Sequence, residues 1–153
     1  MLVAVLTHLT GSDNEVWRKL GELSTDALAL GIHREAVNSS LPFFLAECRR
    51  RTFVAAYHWD KNLAGQFDLP PRILRSYSDC FMPLDLADDE LYAPDPLEAE
   101  RARLALTSDG WSVNGTYSSS TWTRLRFMLA QSREQILEHS YHVLDAEMVV
   151  KLK

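Results

Sequence analysis

The chain has 153 residues and a formal net charge of −5, with 46% hydrophobic and 24% charged residues. These proportions are typical of globular proteins and argue against intrinsic disorder. A chain of this length can bury a real core, so we expect a single domain over residues 1–153. The acidic balance argues against nucleic-acid binding through phosphate contacts. No stretch approaches the roughly 18 consecutive apolar residues of a membrane span, and the two cysteines favour a reduced, intracellular environment.

The first third of the chain predicts two helices separated by a turn. Residues 2–9 are mostly apolar and indicate a helix fragment, whose abrupt start predicts that the chain is part of a longer one. Ser12 and Glu15 form an S-x-x-E capping box for the next helix. Gly31 ends that helix as a left-handed C-cap. Its buried face is predicted from apolar residues at steps of three or four, namely Val16, Leu20, Leu23, Ala27 and Leu30.

A long helix from about Phe43 to Ala64 or Gly65 is the element around which the rest is predicted to pack. Pro42 fits near its first turn, where a missing N–H costs little. Pro70 and Pro71 exclude a helix beyond it.

Charged residues on this helix predict ion pairs. Glu47 precedes Arg50 and Arg51 at the spacing that favours pairing. Asp60 follows Phe53 and Tyr57 on one aromatic stripe, and a buried carboxylate requires a cationic partner. We therefore predict that Asp60 pairs with Arg34 or with an arginine of the run 49–51.

The second half predicts a long loop, a short helix, a polar segment and a final helix. Residues 68–96 are rich in Pro and Asp but hold too many apolar side chains for a solvated linker, so this loop is expected to lie across the helices. A helix from Leu97 to about Leu106 follows, with Asp95 as N-cap and Pro96 at its first position. Residues 107–122 are small and polar, and we expect disorder or poor packing there. The last helix is predicted to be capped by Ser120 or Thr121. Its predicted apolar stripe contains Trp122, Leu125, Leu129 and Ile136, and extends to Tyr141 or Leu144.

The apolar residues expected to hold the loop against the helices are Ile73, Leu74, Tyr77, Phe81, Met82 and Leu84. Because no segment shows strand-like alternation, the predicted class is all-α, an irregular multi-helix bundle with a long Pro- and Asp-rich loop packed across it.

Candidate chemistry is weak throughout the chain. Glu138, His139, His142 and Asp145 have the spacing of a metal site on one helix face, but a solvated surface is the more frequent explanation of such a set. The pairs His58 with Asp60 and His33 with Glu47, and the thiol of Cys48, lack the nucleophile, base and orienting group of a catalytic site. We expect no catalytic, cofactor-binding or metal-binding residue.

Several motifs taken together resemble a known family. They are LGIHR (Leu30 to Arg34), ECRRRTF (Glu47 to Phe53), Tyr57, Asp60 with Lys61, LPPRI (Leu69 to Ile73), MPLDLADDEL (Met82 to Leu91) and, after Trp111, TWTRLRFMLAQSREQILE (Thr121 to Glu138). Their order is similar to that of the fungal-specific transcription factor domain, the middle homology region of fungal zinc binuclear cluster regulators. The chain departs from the family at Val54, where Trp is usual, and at Asp68-Leu69-Pro70, where Gly-Arg-Pro is usual.

The resemblance implies an all-α regulatory domain that modulates transcription in the nucleus and performs no catalysis. Partners would be proteins of the transcription machinery or a small-molecule effector, no membrane is expected, and a homodimer is compatible with the pattern. DNA would be contacted only through a zinc cluster that this chain does not contain, so no cofactor is expected here. The rival hypothesis is a helical small-molecule-binding protein or metal-dependent enzyme. The resemblance assigns a scaffold role to Gly31, His33, Arg34, Glu47, Arg50, Arg51, Phe53, Tyr57, Asp60, Pro70 and Pro71.

Overall fold

The computed structural model describes residues 13–113, 115 and 117–151, with side chains as far as Tyr141. This described part is all-α, as predicted, and contains no strand. Its helices are α1 (Asp13–Ala29), α2 (Glu35–Asn38), α3 (Phe43–Phe67), α4 (Asp88–Leu91), α5 (Pro96–Leu104) and α6 (Ser119–Lys151), and a 3-10 turn spans Arg75–Tyr77. The predicted helix at residues 2–9 and the capping role of Ser12 lie outside the described residues.

Helix α1 ends at Ala29, two residues before Gly31, in agreement with the predicted end. Gly31 has φ +64°, the left-handed conformation that a residue with a Cβ adopts only at a cost. Only part of the predicted apolar face is buried. Leu23 and Leu30 are 41% and 66% exposed, so they do not contribute to the contact of α1 with α3 that the other members make. The buried members of the predicted stripe are Val16, Leu20 and Ala27.

Helix α3 is the central element and contacts α1, α2 and α6. It begins at Phe43 directly after Pro42, as predicted, and runs to Phe67, slightly beyond the predicted end. Asp68 then takes a left-handed conformation with φ 53°, and the N–H of Leu69 donates to the Ala64 carbonyl at 3.0 Å. Two prolines follow, which fixes the exit of the chain from the helix.

The main core lies between α3, α6 and the segment of residues 68–95, which we call the crossing segment. Phe53 and Tyr57 of α3 are fully buried, and the ring of Tyr57 lies edge-on to that of Phe127 with centroids 5.4 Å apart. A smaller cluster joins α1 to the end of α3. The main core consists of Ala27, Ile32, Phe53, Val54, Ala56, Tyr57, Ile73, Cys80, Phe127 and Ala130.

The crossing segment packs across the helices, as its apolar content predicted. Ile73 and Leu86 are each 1% exposed and Met82 lies against the main core. Tyr77 and Phe81, however, are 73% and 62% exposed, so the expectation that they are buried is wrong. The reason is that much of the segment is held through its backbone, which leaves some large side chains free to face solvent.

Residues 107–111 of the polar segment after α5 are held by backbone hydrogen bonds, so the expectation of disorder or poor packing is wrong for this part, whereas Val113 and Tyr117 further on are 61% and 86% exposed. The N–H of Thr107 donates to the Trp111 carbonyl at 2.8 Å, and the N–H of Asp85 donates to the Gly110 carbonyl at 2.9 Å. Gly110 has φ +77°, and a Cβ there would lie 2.9 Å from Leu84 Cδ2. A glycine is therefore required where this turn meets the crossing segment.

The structure shows which residues cap the N-termini of α5 and α6. Asp95 accepts a hydrogen bond from the Leu97 N–H at 2.9 Å, as predicted for the start of α5. Helix α6 is capped by Ser118, whose Oγ accepts from the Thr121 N–H at 3.4 Å, and not by Ser120 or Thr121. The Ser120 hydroxyl donates to the Leu86 carbonyl of the crossing segment, and the Thr121 hydroxyl donates to Asp85 and accepts from the Ser118 N–H at 3.0 Å.

Candidate functional site

The first buried charge cluster centres on Glu47, on the face of α3 beneath the crossing segment. Its carboxylate lies 3.3 Å from Arg50 Nη1 and 3.6 Å from Arg51 Nε, so the two predicted ion pairs are present. Glu47 Oε1 also accepts a hydrogen bond from the Leu84 N–H at 2.6 Å. Burial raises the pKa of Glu47, and this outweighs the opposing effects of that N–H and the two arginines. The cluster thus places a carboxylate where the crossing segment needs an acceptor.

Glu35 extends this cluster towards α2. It forms an ion pair with Arg50 and accepts a hydrogen bond from the Phe81 N–H at 3.1 Å. Burial alone would raise the pKa of Glu35, but the hydrogen bonds and charge of Arg50 and the Phe81 N–H together lower it. Asp79 closes the same junction by accepting from the Glu35 N–H at 2.9 Å and by lying 3.3 Å from Arg34 Nε.

The second cluster contains Asp60, and its partners differ from the prediction. Asp60 is fully buried and pairs with the adjacent Lys61 at 2.9 Å, not with Arg34 or the arginines at 49–51. It also accepts hydrogen bonds from the N–H groups of Arg72 and Ile73 at 3.0 and 2.9 Å. The prediction failed because it considered arginines only, whereas the cation is the adjacent Lys61 and the turn after Pro71 adds backbone donors to the carboxylate.

Glu134 of α6 completes the second cluster from the opposite side. Its carboxylate lies 3.4 Å from Lys61 Nζ and accepts hydrogen bonds from the Tyr57 hydroxyl and from the Arg75 N–H, the latter at 2.9 Å. Burial and the neighbouring Glu134 raise the pKa of Tyr57, so its hydroxyl stays protonated and donates. Lys61 also donates to the Ile73 carbonyl. Two carboxylates therefore share one buried ammonium group.

A third cluster was missed by the sequence analysis. Arg124 is 2% exposed and donates to the carbonyls of Pro83 and Asp109, while its guanidinium lies 4.1 Å from the Trp111 ring centroid. Nearby, Asp85 accepts a hydrogen bond from Thr121 Oγ1 at 2.6 Å. An arginine inside an apolar helix was the available signal, but its partners are backbone carbonyls from two distant segments and leave no pattern in the sequence.

The remaining candidate residues do not assemble into a catalytic or metal centre within the described part. His58 lies 3.4 Å from Asn62, and no hydrogen bond joins it to Asp60. Cys48 lies 2.8 Å from the Tyr92 hydroxyl, and burial raises the pKa of Cys80 to about 12. The described residues hold no group of three or more metal-ligating side chains. The side chains of His142 and Asp145, from the proposed metal set, lie outside the described residues.

The predicted apolar stripe of α6 is wrong in its direction. Phe127 and Ala130 are 1% and 0% exposed and face the core, together with Arg124 and Glu134. The stripe predicted to be buried points away from them: Trp122, Leu129 and Ile136 are 60%, 57% and 64% exposed. We call this surface the outer face of α6. An open groove of about 570 Å³ follows it and is lined by Trp122, Leu125, Arg126, Met128, Leu129 and Ser132.

This outer face is the candidate functional surface of the described residues. Scattered exposed apolar side chains are ordinary, whereas an aligned row of them on one helix is a candidate for an interaction surface. The three buried clusters, by contrast, have their charges directed inward at the crossing segment. In the part of the chain that the structure covers, no helix is both long and apolar enough to cross a membrane.

Comparisons with known proteins agree with the resemblance. Over a stretch of 74 residues, 47% of this chain, it is 35% identical to Transcription factor FBD3 of Gibberella moniliformis and to the protein of the same name in Fusarium pseudograminearum. That stretch covers 10% of the length of each relative. No solved structure matches the chain. The family described as fungal specific transcription factor domain matches residues 1–124. The chain therefore belongs to the fungal specific transcription factor domain family, whose members regulate transcription and are not enzymes.

Proposed function

We propose that this chain is a regulatory region of a nuclear transcription factor and that it acts through a protein partner without contacting DNA itself. The observation that carries the proposal is the outer face of α6, where Trp122, Leu129 and Ile136 are more than half exposed. An exposed row of apolar side chains is suited to binding the surface of another protein. We further propose that this role requires no cofactor.

The position of the basic residues supports the absence of DNA contact. The only run of arginines, at positions 49–51, is directed to partners inside the protein. Arg49 donates to Asn38 and to the Leu30 carbonyl, and Arg50 and Arg51 both pair with Glu47. These three side chains are engaged in the fold and are not free to bind phosphate. The net charge of −5 acts in the same direction.

A protein partner fits the groove better than a small-molecule effector does. Ligand pockets in proteins enclose most of the surface of the molecule that they bind. The groove on α6 is open and lies on a single helix, so a small molecule would remain largely in water. A partner helix could cover the whole row of apolar side chains at once.

A reporter assay tests this proposal. The complete chain is fused to a heterologous DNA-binding domain, and reporter transcription is compared with that of the DNA-binding domain alone. We expect the fusion to change transcription, and we expect the unfused chain to give no sequence-specific gel shift. A fusion without effect would contradict the regulatory role, and a sequence-specific shift would contradict the absence of DNA contact.

A further inference from the structure

Helix α6 has two faces of different character, and the outer one follows a heptad. Trp122, Leu129 and Ile136 are seven residues apart and occupy successive a positions of a heptad. Leu125, three residues after Trp122, occupies the d position. All four are exposed, Leu125 at 36% and the others at 57% or more. At 1.5 Å per residue, the row from Trp122 to Ile136 extends about 21 Å along the helix. This length and spacing suit one further helix laid alongside.

Two arginines border this row on one side. With Trp122 at position a, Arg126 and Arg133 occupy successive e positions, and both are exposed. Neither forms an ion pair with a described carboxylate, and Arg133 donates to the neutral Asn62. Burial lowers the pKa of His58 on α3, and the positive charges of Arg133 and Arg126 lower it further. This flank therefore carries unbalanced positive charge among the residues that the structure describes.

A second copy of the chain is a poor occupant of this face on grounds of charge. In an antiparallel pair, e positions face e positions, which would bring arginines against arginines. In a parallel pair, e positions face g positions, and these hold Met128 and Gln135, neither of which offers a carboxylate. Neither arrangement neutralises Arg126 and Arg133.

We propose that the outer face of α6 binds an amphipathic helix of a partner protein that carries carboxylates along one flank. The apolar side chains of that helix cover Trp122, Leu125, Leu129 and Ile136, and its Glu or Asp side chains pair with Arg126 and Arg133. The proposal rests on the proposed function, since it gives the chemical class of the partner assumed there.

Two designed peptides serve as probes. Both are fluorescent helices of roughly three heptads with leucine at the a and d positions. One carries glutamate at its e and g positions and the other carries lysine. Binding to the complete chain is measured by fluorescence anisotropy at several salt concentrations. We expect the glutamate peptide to bind at least about tenfold more tightly than the lysine peptide, and this preference to decrease as salt rises.

Surface variants then locate the binding site. Leu129→Gln should weaken binding of the glutamate peptide by about tenfold or more, because it places a polar group at the centre of the row. Leu104→Gln is its control, since Leu104 is 74% exposed on α5. The double variant Arg126→Glu with Arg133→Glu should shift the preference to the lysine peptide. Its control is Arg101→Glu with Arg103→Glu, also on α5.

Several outcomes would overturn the inference. Equal binding of both peptides would indicate unspecific adhesion, and an absence of binding would exclude the site. A dimer seen by sedimentation velocity and abolished by Leu129→Gln would mean that a second copy occupies the face. The reporter assay separates this inference from the proposed function. Reporter regulation without peptide discrimination removes only the inference, whereas discrimination without regulation supports the site and contradicts the proposed function.

Discussion

The inner and outer faces of α6 show opposite relations between polarity and burial. The inner face buries Arg124 at 2% exposure and Glu134 at 4%, while the outer face exposes Trp122 at 60% and Ile136 at 64%. The inner charges are buried because the crossing segment is irregular apart from the 3-10 turn and α4, so many of its backbone groups need partners from other elements. The comparison teaches that hydrophobicity alone cannot assign the buried face of a helix that packs against an irregular segment.

A pair of aromatic substitutions gives the sharpest test of this comparison. Phe127→Ala should reduce the free energy of unfolding by about 3–5 kcal/mol, because it leaves a cavity beside Tyr57 and the main core. Trp122→Ala on the outer face should change it by less than about 1 kcal/mol, although tryptophan is the larger side chain. Urea denaturation, monitored by circular dichroism, measures the free energy of unfolding of both variants. A larger loss for Trp122→Ala would reverse our assignment of the faces.

The buried charge shared between α3 and α6 gives an effect of similar size. Asp60→Ala removes the acceptor of two backbone N–H groups and leaves Lys61 buried with Glu134 as its remaining carboxylate. Breaking such a pair from one side should cost about 3–5 kcal/mol. Asp26→Ala on the exposed side of α1 is the control and should be nearly neutral. Unchanged stability of the Asp60→Ala variant would exclude the role given to this cluster.

Two arginines only two positions apart on α6 extend the comparison to charged residues. Arg124→Ala should cost about 2–4 kcal/mol, because the carbonyls of Pro83 and Asp109 lose their donor and Trp111 loses its cation. The free energy of unfolding of Arg126→Ala should lie within about 0.5 kcal/mol of that of the parent chain. The same denaturation measurement compares them. Equal losses would mean that burial of Arg124 contributes nothing specific.

The smallest effect concerns His58, which senses the charged flank of the outer face. Burial and the charges of Arg133 and Arg126 hold its pKa below the ordinary 6.5. The folded state thus binds fewer protons than the unfolded state, so the contribution of His58 to stability is lost as the pH falls through 6.5 towards the lower folded-state pKa. In Arg126→Ala the pKa should move part of the way back up. A titration of the imidazole by NMR measures the shift, and Arg101→Ala is the matched control. A pKa unaffected by Arg126→Ala would show that the charge of Arg126 contributes nothing to the shift.

Features that depend on neighbouring residues could be predicted from the sequence, whereas contacts between distant segments could not. Gly31, Pro42, Asp95 and the ion pairs of Glu47 were predicted correctly, since each depends on residues within about one helical turn. The partners of Asp60 and the burial of Arg124 were not predicted. Both depend on where the crossing segment places its backbone. The scaffold role of the family-motif residues stays a prediction. The stability measurement on Asp60→Ala tests it at one of these positions.

The helical class, the C-terminal end of α1, the approximate bounds of α3 and α5 and the family could be predicted from the amino-acid sequence, because periodicity, capping residues and motif order are local features of the chain. The short helices α2 and α4 were not predicted. The buried face of α6, by contrast, depends on tertiary packing. Two rows of that helix compete for the core, and the row with fewer apolar residues is the buried one. It alone offers Arg124 and Glu134 to the backbone of the crossing segment, whose polar groups must be paired once they leave water.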